Sequence, residues 1–265
     1  MIAPAEFLIT LCGIHRHHIG QAVWSGSMVR VLEDLGISES ACRVALSRLT
    51  ARGVVTREHQ GRLTFYRVTQ RAAKAFDETD RRLVDFGRGI DPGHTVVWHT
   101  LPESSRGDRT RLSRRLRFIG FGALQDGTWI ALQDRYREAL DIITRLDLTN
   151  YCVVLSGRSA ELSNPGLVAQ TAWDLPGIKK TYEAFLRTID RKNVPRSNPK
   201  DIFMFRALMA HEYRTFPPLD PECQGIDAEL DTLRRRVVSR FHELYFKLQA
   251  AAEQYADEIA IPPTS

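Results

Sequence analysis

The sequence lacks long apolar runs, paired cysteine motifs and an apolar leader. No apolar stretch approaches the roughly 20 residues that a bilayer-spanning helix needs, so no membrane association is expected. The first eleven residues have no basic start and contain Glu6, unlike a signal peptide. The four cysteines are far apart and show none of the CxxC spacings typical of zinc or redox sites. These absences predict a cytoplasmic protein with reduced thiols and without a bound metal.

What the sequence does have is a globular composition and an uneven distribution of charge. A chain of 265 residues, 43% of them hydrophobic, can bury a substantial core and usually divides into two or three domains. The first 75 residues contain ten Lys and Arg against five Asp and Glu, and the remainder carries 27 of each sign. The positive excess is therefore local, as expected for one domain that faces a polyanion; a mildly basic solvated surface is the alternative.

Two short helices joined by a tight turn are predicted near the N-terminus. An apolar stripe at i, i+3, i+4 and i+7 indicates a helix over residues 27–35, which Gly36 ends. Ser38 is a natural N-cap for a further helix, which continues to about Arg52 and stops at Gly53. This spacing is typical of a helix-turn-helix.

One face of the second of these helices carries polar side chains. Ser40, Arg43 and Ser47 stand at i, i+3 and i+7, where they can enter a major groove. The planar fork of arginine matches the O6 and N7 acceptors of guanine, and serine can donate to or accept from a base or phosphate. Arg48 and Arg52 lie nearer the flank and suit phosphates. For any one arginine alone, a solvated position on an amphipathic helix is the competing interpretation.

A β-hairpin is predicted directly after these helices. Residues 54–58 form a strand, residues 59–62 the turn and residues 63–68 the returning strand. A helix-turn-helix followed by such a hairpin is a winged helix, although an ordinary surface hairpin remains the alternative. Gly61 gives backbone freedom at the tip, and Arg62 places a positive charge where wings meet DNA. The residues predicted to contact double-stranded DNA are Ser38, Ser40, Arg43, Ser47, Arg48, Arg52, Arg57 and Arg62.

The predicted fold class is α+β, with four segments. A winged helix-turn-helix occupies residues 1–70 and a charged linker helix residues 71–93. Strand and helix patterns over residues 94–160 follow the order βαββαβ, which is the ferredoxin-like arrangement. Residues 165–260 are predicted to form a helical C-terminal domain, which serves dimerisation or effector binding.

No catalytic constellation is evident. Metal-assisted cleavage needs carboxylates that gather at a cation, but the first strand of the middle domain ends with Glu103 alone, and Asp108 follows a flexible loop. The histidines at positions 15, 17 and 18 have spacings that do not converge on a helix. The basic helix predicted over residues 106–119 holds Arg109, Arg111, Arg114, Arg115 and Arg117, which form a second nucleic-acid patch, a dimer surface or simply a solvated face. The chain is therefore not expected to be an enzyme, nor to need a cofactor.

Several short motifs occur in an order that resembles one family. They are Trp24-Ser25-Gly26-Ser27, Gly36-Ile37-Ser38-Glu39, Ser47-Arg48-Leu49, Arg52-Gly53, Gly61-Arg62 and Tyr66-Arg67-Val68-Thr69. The chain is similar to the PaaX-like family of regulators, named for the repressor of phenylacetate degradation. The resemblance implies a winged-helix head, a ferredoxin-like middle domain and a helical tail. It further implies a repressor of an aromatic-acid catabolic operon that an aryl-coenzyme A thioester releases from DNA.

The same resemblance leaves one other function open. The family's middle domain is similar to nucleases of CRISPR adaptation, so the alternative is a metal-dependent nuclease that uses the middle domain. The favoured hypothesis is a symmetric homodimer that reads a palindromic operator, because operator symmetry mirrors the two-fold axis of such a protein. The effector has no site that the sequence itself reveals.

Overall fold

A computed structural model describes residues 2–14, 21–87, 93–157, 164–260 and 262. Helices and two antiparallel sheets follow one another along the chain, so the fold belongs to the α+β class. The chain forms two compact units. The first comprises residues 1–84, 189–213 and 241–265, and the second comprises residues 85–188 and 214–240. The region 165–260, expected as one helical domain, contributes helices to both units.

The N-terminal stretch of the first unit alternates helices with a three-stranded sheet. Its elements are α1 (Pro4–Ile14), β1 (Val23–Trp24), α2 (Ser25–Glu33), α3 (Glu39–Ala51), β2 (Val55–Gln60), β3 (Leu63–Val68) and α4 (Gln70–Asp85). The strand order is β1-β3-β2. The four-residue turn expected over 59–62 is wrong, because His59 pairs with Thr64 and Gln60 with Leu63. Only Gly61 and Arg62 remain between the strands.

Apolar side chains of α1 form the centre of the first unit. Phe7 and Leu8 are almost completely buried. Helix α1 packs against α3, which buries Leu46 and Leu49 on the facing side. The i, i+3 and i+4 spacing of apolar residues in α3 brings them to one stripe, so the opposite face of the helix is left to polar residues.

Helices from the C-terminal part of the chain complete this core. They are α9 (Pro199–Tyr213), the end of α10 (Ala228–Lys247) and α11 (Gln249–Ala260). Helix α9 packs against both α1 and α11. The Thr10 hydroxyl and His211 Nδ1 are 2.8 Å apart, and the rings of Phe7 and His211 meet edge to face. The two ends of the chain thus share one core.

The second unit contains a four-stranded antiparallel sheet with helices packed against it. Its elements are β4 (His94–His99), α5 (Arg106–Phe118), β5 (Gly122–Gln125), β6 (Thr128–Ala131), α6 (Tyr136–Arg145), β7 (Cys152–Gly157), α7 (Pro165–Ala172) and α8 (Leu175–Thr188). The strand order is β5-β6-β4-β7. Val97 and Trp129 from the sheet, Leu112 and Leu116 from α5, and Ile143 from α6 belong to one buried cluster. The period-two pattern of β4 therefore directs alternate residues to these helices.

A buried ion pair fixes the segment that leads into α10. Asp220 is fully buried and accepts two hydrogen bonds from Arg234, at 2.9 and 2.8 Å. The Tyr182 hydroxyl donates to the same carboxylate at 2.6 Å, and the backbone N–H of Glu222 also donates to it at 2.6 Å. Burial by itself lowers the pKa of Arg234, but the Asp220 carboxylate outweighs it and raises that pKa. Both charges are therefore retained and satisfied.

Replacing Asp220 by alanine should destabilise the protein strongly. The change removes the bidentate carboxylate from the buried Arg234 guanidinium and leaves Asp231, which accepts from Arg234 Nη1 at 2.7 Å, as its remaining carboxylate partner. Removal of one partner from a buried ion pair typically costs about 3–5 kcal/mol. Asp141→Ala is the matched control, because Asp141 pairs with Arg145 in solvent, where such pairs contribute about 0.3–0.5 kcal/mol. Urea unfolding of both variants measures the difference. Similar free energies of unfolding in the two variants would contradict this role of the pair.

Candidate nucleic-acid interface

Ser38 and Gly36 determine where α3 begins. Gly36 has a φ of 73°, which favours glycine, and closes the turn after α2. The backbone N–H of Ile37 donates to the carbonyl of Leu32 at 3.0 Å. The Ser38 side chain then accepts a hydrogen bond from the N–H of Ala41 at 3.3 Å, as an N-cap does. These local interactions set the start and direction of the helix.

Helix α3 separates a buried from an exposed face. Cys42, Ala45, Leu46 and Leu49 are buried. The eight residues that the sequence predicts as DNA contacts are all exposed: Ser38, Ser40, Arg43, Ser47, Arg48, Arg52, Arg57 and Arg62. The first six lie on or at the ends of α3, and the last two belong to the hairpin that follows. One polar surface thus presents residues from α3 and its flanks.

Arg43 is held by a carboxylate on its own helix. Its guanidinium bonds Glu39 Oε1, one turn earlier, and the two side chains are 72% and 50% exposed. The Glu39 carboxylate raises the pKa of Arg43, so the guanidinium is charged. An exposed i, i+4 pair contributes little to stability because solvent screens it. Arg43 can therefore exchange Glu39 for another acceptor at small cost.

Sequence analysis did not single out Val44 on α3. Its side chain is 52% exposed, although it is apolar and stands next to Arg43. Its exposure can be predicted from the sequence, because Val44 lies outside the apolar stripe formed by Cys42, Ala45, Leu46 and Leu49. An exposed aliphatic side chain on such a helix can contact the methyl group of thymine.

The hairpin presents basic side chains beside the surface of α3. Gly61, with a φ of 59°, makes the reversal at the tip, and Arg62 is exposed next to it. Arg67 is committed within the hairpin, because its Nε and Nη2 donate to Glu58 at 2.6 and 3.0 Å. Within the residues that the structure describes, Arg57 and Arg62 form no ion pair. These two arginines are available to an outside anion.

The C-terminal end of α3 is surrounded by further arginines. Arg52 Nη1 lies 3.6 Å from Glu6, and Arg71 donates to the backbone carbonyl of Arg52 at 2.6 Å. Arg48 is exposed and has no ion pair in the described part of the chain. Arg48 is therefore less constrained than Arg52 as a candidate for a phosphate contact.

The basic helix α5 is less available than its composition indicates. Arg109 donates to Asp126 at 3.2 Å and to the carbonyl of Leu101 at 3.2 Å. Arg111 bonds Asp108, and Arg117 lies over the ring of Trp129 at 5.4 Å. Among the described residues, Arg106, Arg114 and Arg115 are the arginines of this helix that are left exposed without such a contact. Asp126 and Asp108 are thus each paired with an arginine.

The structure also bears on other sites that the sequence raised. Among the described residues, no three His, Cys, Asp or Glu side chains gather as metal ligands would. The histidines at positions 15, 17 and 18 lie outside the described residues. In the same described part of the chain, no helix has the length and apolar character needed to cross a bilayer.

Comparisons with known proteins cover nearly the whole chain. The chain is 23% identical over 233 residues to the transcriptional repressor PaaX of Escherichia coli (strain K12), an alignment that spans 83% of this chain and 72% of the repressor. Its fold is similar to that of the uncharacterized protein Rv0674 from Mycobacterium tuberculosis, with a TM-score of 0.55 and 20% identity over 95% of this chain and 97% of the other.

Three family models match consecutive parts of the sequence. The PaaX-like protein model matches residues 4–72, the PaaX protein central Cas2-like domain matches residues 89–169, and the PaaX-like protein C-terminal domain matches residues 173–258. The first of these ranges contains α3 and the hairpin. With its head, centre and tail matched in family order, the chain belongs to the PaaX-like family.

Proposed function

We propose that this protein is a transcriptional repressor that binds double-stranded DNA in a sequence-specific manner. The observation that carries the proposal is the exposed face of α3, where Ser40, Arg43 and Ser47 stand together on a helix whose other side is buried. A helix diameter fits the major groove, and these side chains bear donors that read guanine and adenine edges. The N-terminal location of the net positive charge supports the same surface.

Residues 1–70 act as a winged helix-turn-helix in this proposal. Helices α2 and α3 form the helix-turn-helix, and the β2–β3 hairpin is the wing. Arg43, Ser40 and Ser47 read bases, while Ser38 lies at the helix N-terminus, which favours phosphate. Arg48, Arg52, Arg57 and Arg62 hold the DNA backbone. Such contacts set the register of the protein on the duplex, whereas base contacts supply specificity.

The regulatory part of the proposal follows from family membership. The relative from Escherichia coli is a transcriptional repressor, and the resemblance to the PaaX-like family implies a role in phenylacetate-type catabolism. We infer that this chain represses an aromatic-acid catabolic operon in the cytoplasm and that an aryl-coenzyme A thioester relieves repression. For this to occur, the effector must bind the conformation that does not bind DNA more tightly.

The second unit is assigned an architectural role. We propose that residues 94–160 form a ferredoxin-like domain, which the order β4-α5-β5-β6-α6-β7 and the sheet order β5-β6-β4-β7 support. The nuclease alternative is not favoured, because the curated relative is a repressor and the nearby Asp108 and Asp126 are each engaged by an arginine. The protein is therefore proposed to act without catalysis.

A homodimer fits both the expected palindromic operator and an exposed apolar patch on strands β4 and β7 of the second sheet. Trp98 pairs with Val153 and Val96 with Leu155, and these side chains point away from α5 and α6. Trp98, Val153 and Leu155 are 51%, 45% and 59% exposed. Because none of these residues is charged, the patch can meet an identical patch across a two-fold axis without like-charge repulsion. We propose a second copy of this chain as its partner.

Arg43→Ala should weaken binding at a single base position. A bidentate arginine contact to guanine contributes about 1–3 kcal/mol of discrimination, so the loss should appear only for operators with guanine at that position. Arg145→Ala is the control, since Arg145 forms a similar exposed i, i+4 pair on α6. Fluorescence anisotropy with an operator selected from random DNA, and with each of its single-base variants, measures both. An equal loss on every sequence would remove Arg43 from base reading.

Arg48→Ala and Arg62→Ala should weaken binding equally for all sequences. Each lost phosphate contact lowers the slope of log affinity against log salt by about 1. The measurement is a titration of operator DNA at several KCl concentrations, with Arg67→Ala as a control because Arg67 is bonded to Glu58 within the hairpin. Unchanged slopes for Arg48→Ala and Arg62→Ala would show that these side chains do not touch the backbone.

Trp98→Glu should convert a dimer to a monomer. A glutamate at the centre of a self-paired apolar patch places two like charges together and leaves both unsolvated. Phe246→Glu is the control, because Phe246 is also exposed, at 61%, but lies on α10 in the other unit. Sedimentation velocity at micromolar concentration measures the oligomeric state of each variant. Dissociation by Phe246→Glu instead would place the interface elsewhere.

A further inference from the structure

A cavity lies within the first unit between its N-terminal and C-terminal parts. Its volume is about 90 Å³. One wall consists of residues from α1, from α2 and from all three strands of the small sheet, including Met28 and Tyr66. The other wall consists of Phe203 from α9 together with Ala256 and Ile259 from α11. The cavity therefore separates the elements that support α3 from the helices contributed by the C-terminal part of the chain.

The size and lining of the cavity select an apolar occupant. A water molecule needs roughly 10–15 Å³, whereas an engineered apolar cavity of about 150 Å³ binds benzene. The described residues of the wall include no Asp, Glu, Lys or Arg. The Ser27 hydroxyl, which also lines it, already donates to the carbonyl of Trp24 at 2.6 Å. The wall thus offers contacts to an uncharged apolar group and little to attract a charged one. An aromatic ring enters only if this cavity of about 90 Å³ widens.

Two elements of the first wall, α2 and β3, are connected to the candidate interface. Met28 and Val31 belong to α2, the helix that leads through a tight turn into α3. Tyr66 lines the cavity from β3, the strand that pairs with β2 to form the hairpin. A change in the width of the cavity therefore moves α2, which leads into α3, and β3, which belongs to the hairpin. It acts on the buried side of these elements.

The opposite wall is tied to the same turn by an ion pair. Lys200 Nζ, near the start of α9, lies 2.7 Å from Asp34 Oδ1, directly after α2. The Phe203 ring meets Tyr255 of α11 edge to face, at 5.2 Å between centroids. Helix α9 is consequently linked to the end of α2 by the ion pair, and α11 is linked to α9 by the ring contact. A group that enters between them and α2 has to alter these contacts.

We propose that this cavity binds the aromatic ring of a small-molecule effector and that its occupation lowers the affinity of α3 for DNA. The inference rests on the proposed repressor function and adds to it a location and a chemistry. The ring binds the conformation in which α2 and β3 stand further from α9 and α11, and so shifts the population away from the one that binds DNA.

The first test uses toluene as an isolated ring and the full-length protein. Ala256→Leu adds three carbon atoms to the cavity wall and should weaken saturable toluene binding, followed by ligand-observed NMR, at least tenfold. Ala250→Leu is the matched control, because Ala250 is exposed on the same helix. Both variants should unfold at or above the wild-type temperature, since one fills space and the other points to solvent. Undiminished binding to Ala256→Leu, or equal loss in both variants, would overturn the proposal.

A second readout needs no variant. Cys12 also lines the cavity, so saturating toluene should slow its alkylation by N-phenylmaleimide several-fold, as followed by peptide mass spectrometry. Cys223 is the internal control: burial chiefly raises the pKa of its thiol, and it lies in the second unit. The rate at Cys223 should not change with toluene. An unchanged rate at Cys12 would show that the ring does not enter the cavity.

The third test connects the cavity to DNA. Phenylacetyl-coenzyme A should release operator DNA from the wild-type protein and from Ala250→Leu, whereas coenzyme A alone should not. Ala256→Leu should need at least tenfold more of the thioester for release. Equal release by coenzyme A, or an unshifted midpoint in Ala256→Leu, would overturn the coupling. If the wild-type protein does not bind DNA selectively, the repressor function fails, while toluene binding still tests the cavity.

Discussion

Burial of the apolar face of α1 is the constraint on which the first unit depends. Phe7 and Leu8 are too large and apolar to remain in water, and the N-terminal helices and small sheet cover only part of them. Helix α9 covers the remainder, with Phe7 against His211 and Thr10 bonded to the same imidazole. The two ends of the chain are thereby held together, and the orientation of α3 depends on both.

This shared core explains why the candidate interface is rigid on its inner side and adaptable on its outer side. Helix α3 is fixed by buried Leu46 and Leu49, by the Ser38 cap and by the turn at Gly36. Its outward side chains, in contrast, are held by solvent-exposed pairs such as Arg43 with Glu39. A surface of this kind keeps its geometry while its charges exchange partners, as recognition of a polyanion requires.

Local signals in the sequence predicted much of the fold. The apolar stripe of α2, the serine cap of α3 and the strand over 63–68 were placed correctly, because caps, glycines and periodicity act over a few residues. Strand β1 was missed, since two residues carry no period and pair with β3 only through tertiary contacts. The last part of the helical domain expected over residues 165–260 consists of two helices, α10 and α11, with an interruption at Leu248.

Features that depend on contacts between distant parts of the chain were harder to predict from the sequence. The exposed face of α3 follows from helical spacing, so its candidate residues were named from the sequence. The partnership of Lys200 with Asp34 and the cavity between α2 and α11 join positions more than 150 residues apart, and no local pattern indicates them. The division of the C-terminal helices between two units has the same origin.

The chain order of the first unit has a consequence for how such a protein can evolve. A fragment that ended near Val84 would retain α2, α3 and the hairpin, but it would expose the sides of Phe7 and Leu11 that α9 and α11 cover. Such a fragment does not contain the whole of the core in which its helices pack. Exchanging it between proteins requires the exchange of the C-terminal helices as well, so the exposed face of α3 and the C-terminal helices of the first unit are inherited together.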